Sequence, residues 1–311
     1  VTAGVDPADL AHCAKVIAAH GRTYHLASRL LPADDRAVVG ALYAFARAVD
    51  DLVDLPAPVD GAGPIGARFD ALDQVVARLA DPSLAPSAVI GPSPTPIDAR
   101  ILRAWVATVR ARGIDPALFA AFLTSMRMDL PGDPAHIACY DDFAALGRYM
   151  HGSAEVIGLQ MLPVLGADDP RAAAPAAALG RAFQLTNFLR DIGEDLDRGR
   201  IYLPLETWAA FGVGADDLTR ARIRGGRPPA PIRRALAHFI AHTRAQYRLA
   251  ADGPALLPPR ARRCVRAAAV VYGEILTEIE LSDYRVFDRR ATVAPLRRVR
   301  LATGAALGVR A

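Results

Sequence analysis

The chain has 311 residues, 52% of them apolar and 6% aromatic, enough to bury one large core or two ordinary ones. Its formal charge is +4 and Lys15 is its one lysine; the arginines are spread over many segments, notably 220–234, 260–266 and 289–300, which argues against nucleic-acid binding and leaves solvated helix faces or contact with an anionic membrane surface. No stretch reaches the roughly 18 uninterrupted apolar residues of a membrane span, and residues 1–20 lack the apolar core of a leader, so a soluble cytoplasmic protein is expected, touching a membrane at most peripherally at its inner face.

Abundant alanine with few β-branched and aromatic residues favours helix. Apolar periodicity predicts helices over Pro7–His20, Asp34–Asp54, Gly66–Ala80, Ile97–Arg112, Pro116–Asp129, Asp141–Leu165, Arg171–Asp197, Pro231–Ala251 and Pro258–Tyr284. The segments Leu55–Pro64 and Asp81–Pro96, rich in proline, glycine, serine and alanine, read as surface loops, and neither is a convincing boundary. The expectation is an all-α bundle, one domain over residues 1–311, with a central active-site cavity. Cys13, Cys139 and Cys264 are widely spaced and read as small buried residues, not as a disulfide or metal set. Trp105 and Trp208 lie in apolar helical contexts and read as core.

Two helices carry acidic signatures that a solvated surface explains poorly. In the first, Asp50 and Asp54 stand one turn apart on one face, with Arg47, Tyr43 and Gly40 continuing the stripe upstream. Asp51 points about 100° away. Three carboxylates within five residues repel one another, and they sit at a helix C-terminus where the macrodipole disfavours negative charge. Such an end calls for a cation, though a solvated acidic end would account for this segment alone. The second signature, Gln184 to Pro204, puts Gln184, Asn187, Asp191 and Asp195 on one polar seam, while Phe183, Leu185, Phe188, Leu189 and Ile192 fill the other faces. Carboxylates on a buried helix need partners. Hard oxygen ligands without histidine or cysteine suit Mg²⁺ or Mn²⁺, and magnesium binds through one or two carboxylates plus substrate phosphates, so two facing pairs make a diphosphate clamp. Arg47, Arg190 and Arg200 are placed to meet the same oxygens.

These two segments resemble the aspartate-rich motifs of the squalene/phytoene synthase family, the second closely. Weaker matches extend over nearly the whole chain: Tyr24 to Pro32, Met126-Arg127-Met128-Asp129-Leu130, Tyr272 with Ile275-Leu276, and Tyr284 to Ala291. The resemblance implies a single helical bundle in which two identical prenyl diphosphates are joined head to head. A first ionisation gives a cyclopropylcarbinyl diphosphate, and a second gives a linear hydrocarbon. Carried over by position, Asp50, Asp54, Asn187, Asp191 and Asp195 contribute metal contacts. Arg47, Arg190, Tyr149, Tyr202, Tyr272 and Arg290 lie near the diphosphates, joined there by Gln184 of the seam and by Arg200. Geranylgeranyl diphosphate is the expected substrate. The alternatives are the C15 reaction on farnesyl diphosphate, and a non-catalytic assembly partner, which would lack one of the four aspartates. No nucleotide-binding glycine loop is evident, Gly61-Ala62-Gly63 and Gly225-Gly226-Arg227 being loop glycines, so NADPH is not expected.

Where the family has a small-residue run, this chain has Ala154-Glu155-Val156-Ile157-Gly158, and Glu155 is expected to turn toward an arginine. His238 and His242 share a helix face but lack a third ligand. The stripe from Asp54 back through Asp50, Arg47 and Tyr43 places Gly40 deepest from the diphosphate, where a missing side chain would admit a longer tail, Ser28 bordering the same space. Close approach of two helices is the alternative reason for that glycine.

Overall fold

A computed structural model describes residues 5–54, 65–91 and 97–308. The loop expected at 55–64, its glycines Gly61 and Gly63, and residues 92–96 of the second loop lie outside the described residues. The helices in chain order are α1 (Pro7–His20), α2 (Arg22–Ser28), α3 (Ala33–Asp54), α4 (Ile65–Leu79), α5 (Pro86–Ile90), α6 (Ala99–Arg112), α7 (Pro116–Met128), α8 (Phe143–Met150), α9 (Val156–Val164), α10 (Ala173–Asp197), α11 (Leu205–Ala210), α12 (Ala215–Arg224), α13 (Ala230–Ala250), α14 (Pro259–Leu281) and α15 (Pro295–Leu307). Among the described residues the extended chain is limited to one isolated bridge, Cys139 to Ile201.

Local chemistry sets many of the helix starts. Asp6, Asp98, Asp115 and Asp142 cap α1, α6, α7 and α8 by accepting a backbone N–H of the first turn, each cap worth about 1 kcal/mol. Proline opens α1, α7, α14 and α15, where its missing N–H costs no hydrogen bond. The segment read as one helix over 141–165 is α8 and α9 joined by a π-helical turn at His151–Glu155. The sequence reading missed α2, α5, α11, α12 and α15. Most are shorter than three turns, and α12 and α15 carry so many arginines that the apolar stripe is thin.

The core sits around α10 and α3. Helix α10 buries Ala182, Leu185, Phe188, Leu189 and Ile192 and is packed by α9, α13 and α14. Helix α3 lies against α1, α6 and α7. Its Phe45 stacks on Trp105 with centroids 4.0 Å apart, and Phe119 meets that indole edge-on at 5.1 Å. Trp105 and Trp208 are both buried, as expected of core residues. Cys13 and Cys264 are buried as read, but Cys139 is exposed. Burying α3 and α10 on their apolar faces turns the acidic C-terminal ends of both helices toward one another across the chain at Arg200, which contacts Asp54 from the loop after α10.

Candidate active site

Two carboxylate pairs and a fifth, unexpected carboxylate converge here. Asp54 accepts from Arg200 Nη1 at 2.9 Å, with Arg198 3.6 Å away. Asp50, one turn back, has neither a hydrogen bond nor an ion pair among the described residues. Burial and then the charge of Asp54 push its carboxyl up to about 7. On α10, Asp191 is gripped twice: Arg190 donates to both its oxygens at 2.8 and 2.7 Å, and Arg290 does so at 2.7 and 2.9 Å. Burial pushes the Asp191 carboxyl up, but these two guanidinium groups outweigh it and hold the group below the usual carboxylate range. Asp195, whose one cationic partner among the described residues is Arg198 at 3.9 Å, is pushed up to about 8 by burial and then by Asp191.

Asp129, at the end of α7, is the residue that sequence reasoning passed over. It is 4% exposed. Its carboxylate accepts Tyr149 Oη at 2.5 Å and Tyr202 Oη at 2.8 Å, while its backbone carbonyl accepts Arg200 Nη2 at 2.9 Å. Burial raises this carboxyl, opposed by Tyr149, Arg200 and Tyr202. Its charge adds to what raises both Asp50 and Asp195, and Arg200 links it to Asp54. The signal was present as a carboxylate flanked by Met128 and Leu130 at the end of a largely apolar helix, and a charge in such a setting is either paired or functional.

The seam of α10 is ordered by a short chain of hydrogen bonds. Tyr272 of α14 donates to Asn187 Oδ1, Asn187 reaches Gln184 Oε1 at 3.4 Å, and Arg190 Nη1 lies 3.4 Å from the Tyr272 hydroxyl. Beyond this seam the wall is aromatic. Tyr24 of α2 stacks on Tyr272 at 5.4 Å and meets Phe183 at 5.8 Å and Tyr43 at 6.1 Å, and Phe183 lies 4.7 Å from Tyr272. Tyr24 and Phe183 were not singled out as site residues. Arg47 pairs with Asp51, so the carboxylate turned off the stripe orients the guanidinium.

Arg290 is delivered by a strap, residues 282–294, which turns through left-handed backbone at Asp283 and Tyr284 (φ 57° and 60°) and crosses α10 at Gly193. A Cβ there would lie 2.5 Å from the Phe287 carbonyl oxygen, so only glycine permits the crossing. Arg222 donates to that same carbonyl, and Gly226 N to the Asp288 carboxylate at 3.0 Å, which fastens the middle of the strap.

Glu155 turns to Arg181 at 2.6 Å and His151 at 3.1 Å, as expected. His238 and His242 pack on Phe211 and Phe143. Gly40 requires a correction: a Cβ there would face Ala14 and Cys13 of α1 at 3.7–3.8 Å, not a tail cavity. It is a helix-crossing glycine, because the stripe counted from Asp54 drifts round the helix over fourteen residues. The Ser28 hydroxyl is buried and donates to the His25 carbonyl at 2.9 Å.

Among the described residues no three carboxylate, histidine or cysteine groups converge closely enough to enclose an ion unaided. Pairs of aspartates that meet an ion together with phosphate oxygens fit that spacing. So does Asp50, a recessed carboxylate raised by its neighbour and without a donor.

The squalene/phytoene synthase family model matches residues 17–297. The chain belongs to that family. It is 33% identical over 296 residues to the phytoene synthase of Arthrospira platensis, covering 90% of this chain and 87% of that one. It is also 33% identical to the 15-cis-phytoene synthase of Synechocystis sp., covering 90% and 79%, and 34% identical to a chloroplastic phytoene synthase of Zea mays, of whose length it spans 61%. Among solved structures, a dehydrosqualene synthase in complex with ligand superposes with a TM-score of 0.79 at 27% identity, covering 97% of this chain and 96% of that one. Squalene synthase HpnC from Alicyclobacillus acidocaldarius superposes at 0.71 and 27% identity, covering 89% and 95%. The fold is therefore the single-domain helical bundle of the squalene and dehydrosqualene synthases.

Proposed function

We propose that the protein is a prenyl transferase that joins two molecules of geranylgeranyl diphosphate head to head and forms phytoene by way of a cyclopropylcarbinyl diphosphate, in carotenoid biosynthesis. The observation that carries this reading is the convergence of the pairs Asp50/Asp54 and Asp191/Asp195 on one space lined by Arg190, Arg200 and Arg290, in a family member whose curated relatives are phytoene synthases.

Magnesium fits the donor set best. Asp50 and Asp54 would hold it at one diphosphate, and Asn187, Asp191 and Asp195 at the other; bound there, it neutralises charge on the departing diphosphate. The protein's own groups do the rest. Arg47, Arg190, Arg200 and Arg290 bind phosphate oxygens, and their present carboxylate partners keep them aimed at the site until substrate arrives. Gln184, Asn187 and Tyr272 position the reacting end. Tyr24, Tyr43, Phe183 and Tyr272 exclude water from the allylic cation and offer it ring faces. Tyr149 and Tyr202 hold their hydroxyls at Asp129, from which they can reach a phosphate oxygen without leaving a buried donor unpaired.

A second reading is favoured by the superposed structures, a dehydrosqualene synthase and a squalene synthase: the same chemistry on the C15 substrate, farnesyl diphosphate. No helix among the described residues is long and apolar enough to cross a membrane. The oily product nonetheless requires a bilayer to receive it, so peripheral membrane contact belongs to this reading. Incubation of the protein and Mg²⁺ with each diphosphate, followed by chromatography of the hydrocarbon, tests it. Phytoene from the C20 substrate is expected, and turnover confined to the C15 substrate would select the second reading.

A further inference from the structure

Helix α15 has two unlike faces. Ala302 and Ala305 are buried and Leu301 packs inward. The opposite face exposes Leu296 (88%), Val299 (52%) and Leu307 (75%), three of the few large apolar side chains that the described residues leave open to solvent. Successive angles of about 100° bring Leu296, Val299, Arg300, Thr303 and Leu307 onto one side, so the exposure is a continuous stripe, not scattered single residues. A stripe of this kind marks an interaction surface.

The charge that the helix itself carries has one sign. No acidic residue occurs from Arg289 to the end of the chain. Arg297 is tied to Glu274 and Glu278 of α14, which fixes the N-terminal end of α15. Ala302 shares an apolar cluster with Cys264, Ala267 and Ala268, so the helix runs back along α14 toward that helix's start. There Arg263 is exposed, three turns from Glu274 on the same side of α14, and it has no carboxylate partner among the described residues; Arg300 likewise has none. An apolar stripe bordered by unpaired arginines complements a bilayer that carries anionic headgroups.

Position ties this face to the site. The apolar cluster beneath α15 is built from α2, the turn after it and α14 through Ala27, Leu31, Ala261, Cys264, Ala267 and Ala268, and Phe183 packs against it. The same two helices carry Tyr24 and Tyr272, whose rings meet Phe183. Packed apolar side chains, most of them small, thus connect the aromatic wall of the site to the underside of α15. We propose that the outer face of α15 is the membrane-docking surface: the helix lies in the plane of an anionic bilayer, with Leu296, Val299 and Leu307 among the acyl chains and Arg263 and Arg300 at the headgroups. The prenyl-binding side of the bundle then faces the lipid. This rests on the prenyl-diphosphate reading only for its purpose, since the docking itself is measured without substrate.

The test is sedimentation of the whole protein with vesicles of phosphatidylcholine alone or with 30 mol% phosphatidylglycerol (about one lipid in three, to give a surface potential of the kind that attracts arginine). It compares the native chain with the triple variant Leu296→Ser/Val299→Ser/Leu307→Ser and with the pair Arg263→Gln/Arg300→Gln. All five side chains are exposed, and circular dichroism confirms that each variant is folded. The native chain is expected to bind the anionic vesicles and to be released by salt. The triple variant should bind at least tenfold more weakly, and the arginine pair should lose the preference for phosphatidylglycerol. Condensation activity in detergent should be unchanged in both, which separates a failure of docking from a failure of the enzymatic reading. Equal vesicle binding by the native chain and the triple variant would overturn the proposal. So would a native dimer in solution that the triple variant abolishes, because a second copy would then cover the stripe.

Discussion

Asp50 and Asp191 carry the same chemistry in opposite surroundings, and the difference decides how each responds to substitution. Either change to asparagine removes a charge proposed to hold metal and should lower turnover by on the order of a hundredfold or more. Their effects on the metal-free fold should diverge. Asp50 has its carboxyl raised to about 7 by burial and by Asp54, so the folded chain binds a proton there that the unfolded chain releases near pH 4. Its ionisation therefore weakens the fold as pH rises from about 4 through 7. Asp195, raised to about 8, adds to the same trend. In chelator, Asp50→Asn should raise the melting temperature at pH 8 and leave it nearly unchanged at pH 4; a lowered melting temperature at pH 8 would assign Asp50 to structure. Asp191 is depressed by Arg190 and Arg290, so its ionised form stabilises the fold above the unfolded carboxylate pKa, and this is lost as pH falls through the folded value. Asp191→Asn leaves both guanidinium groups short of a charge and should lower the melting temperature at pH 8. Asp129→Ala would strand the hydroxyls of Tyr149 and Tyr202 at about 1–3 kcal/mol each. Denaturant midpoints should show that loss, with Asp129→Asn milder because one acceptor oxygen remains.

At the scale of elements, how much was legible depended on how local the signal was. The ends of α3 and α10 could be read because an i,i+4 pair of aspartates is a feature of one helix. Glu155 could be read because a glutamate in a small-residue run must find a partner. Asp129 could not be placed, since its importance comes from Tyr149 and Tyr202, 20 and 73 residues away in sequence. Gly40 was misplaced because a face counted over four turns accumulates error. Its Cβ direction, onto the backbone of α1 at ordinary contact distance, sets a new expectation. Gly40→Ala should be tolerated or stabilising by up to about 1 kcal/mol, while Gly40→Phe should destabilise the fold on thermal melting without shifting the preference between C20 and C15 diphosphates. A clean shift toward C15 with unchanged stability would restore the cavity role. The strap behaves differently: Gly193→Ala puts a methyl group into the Phe287 carbonyl, at a cost of about 1–3 kcal/mol. It should loosen Arg290 and raise KM for the diphosphate more than it lowers kcat.

For the whole molecule, the bundle explains how a protein with several buried carboxylates stays folded before substrate arrives. Asp54 and Asp191 are neutralised by the arginines proposed to bind the diphosphates, Asp129 is satisfied by two tyrosines, and Asp50 and Asp195 are raised toward the neutral form. The arrangement is most economical if cations and diphosphates replace these internal partners together, so metal and substrate should bind cooperatively. The most direct measurement is single-turnover condensation of geranylgeranyl diphosphate with and without Mg²⁺, with the hydrocarbon identified by mass spectrometry. Phytoene formed with Mg²⁺, absent in excess chelator and absent from Asp50→Asn, is the expected result; a hydrocarbon formed equally in chelator, or no condensation of either the C20 or the C15 diphosphate by the native chain, would contradict it.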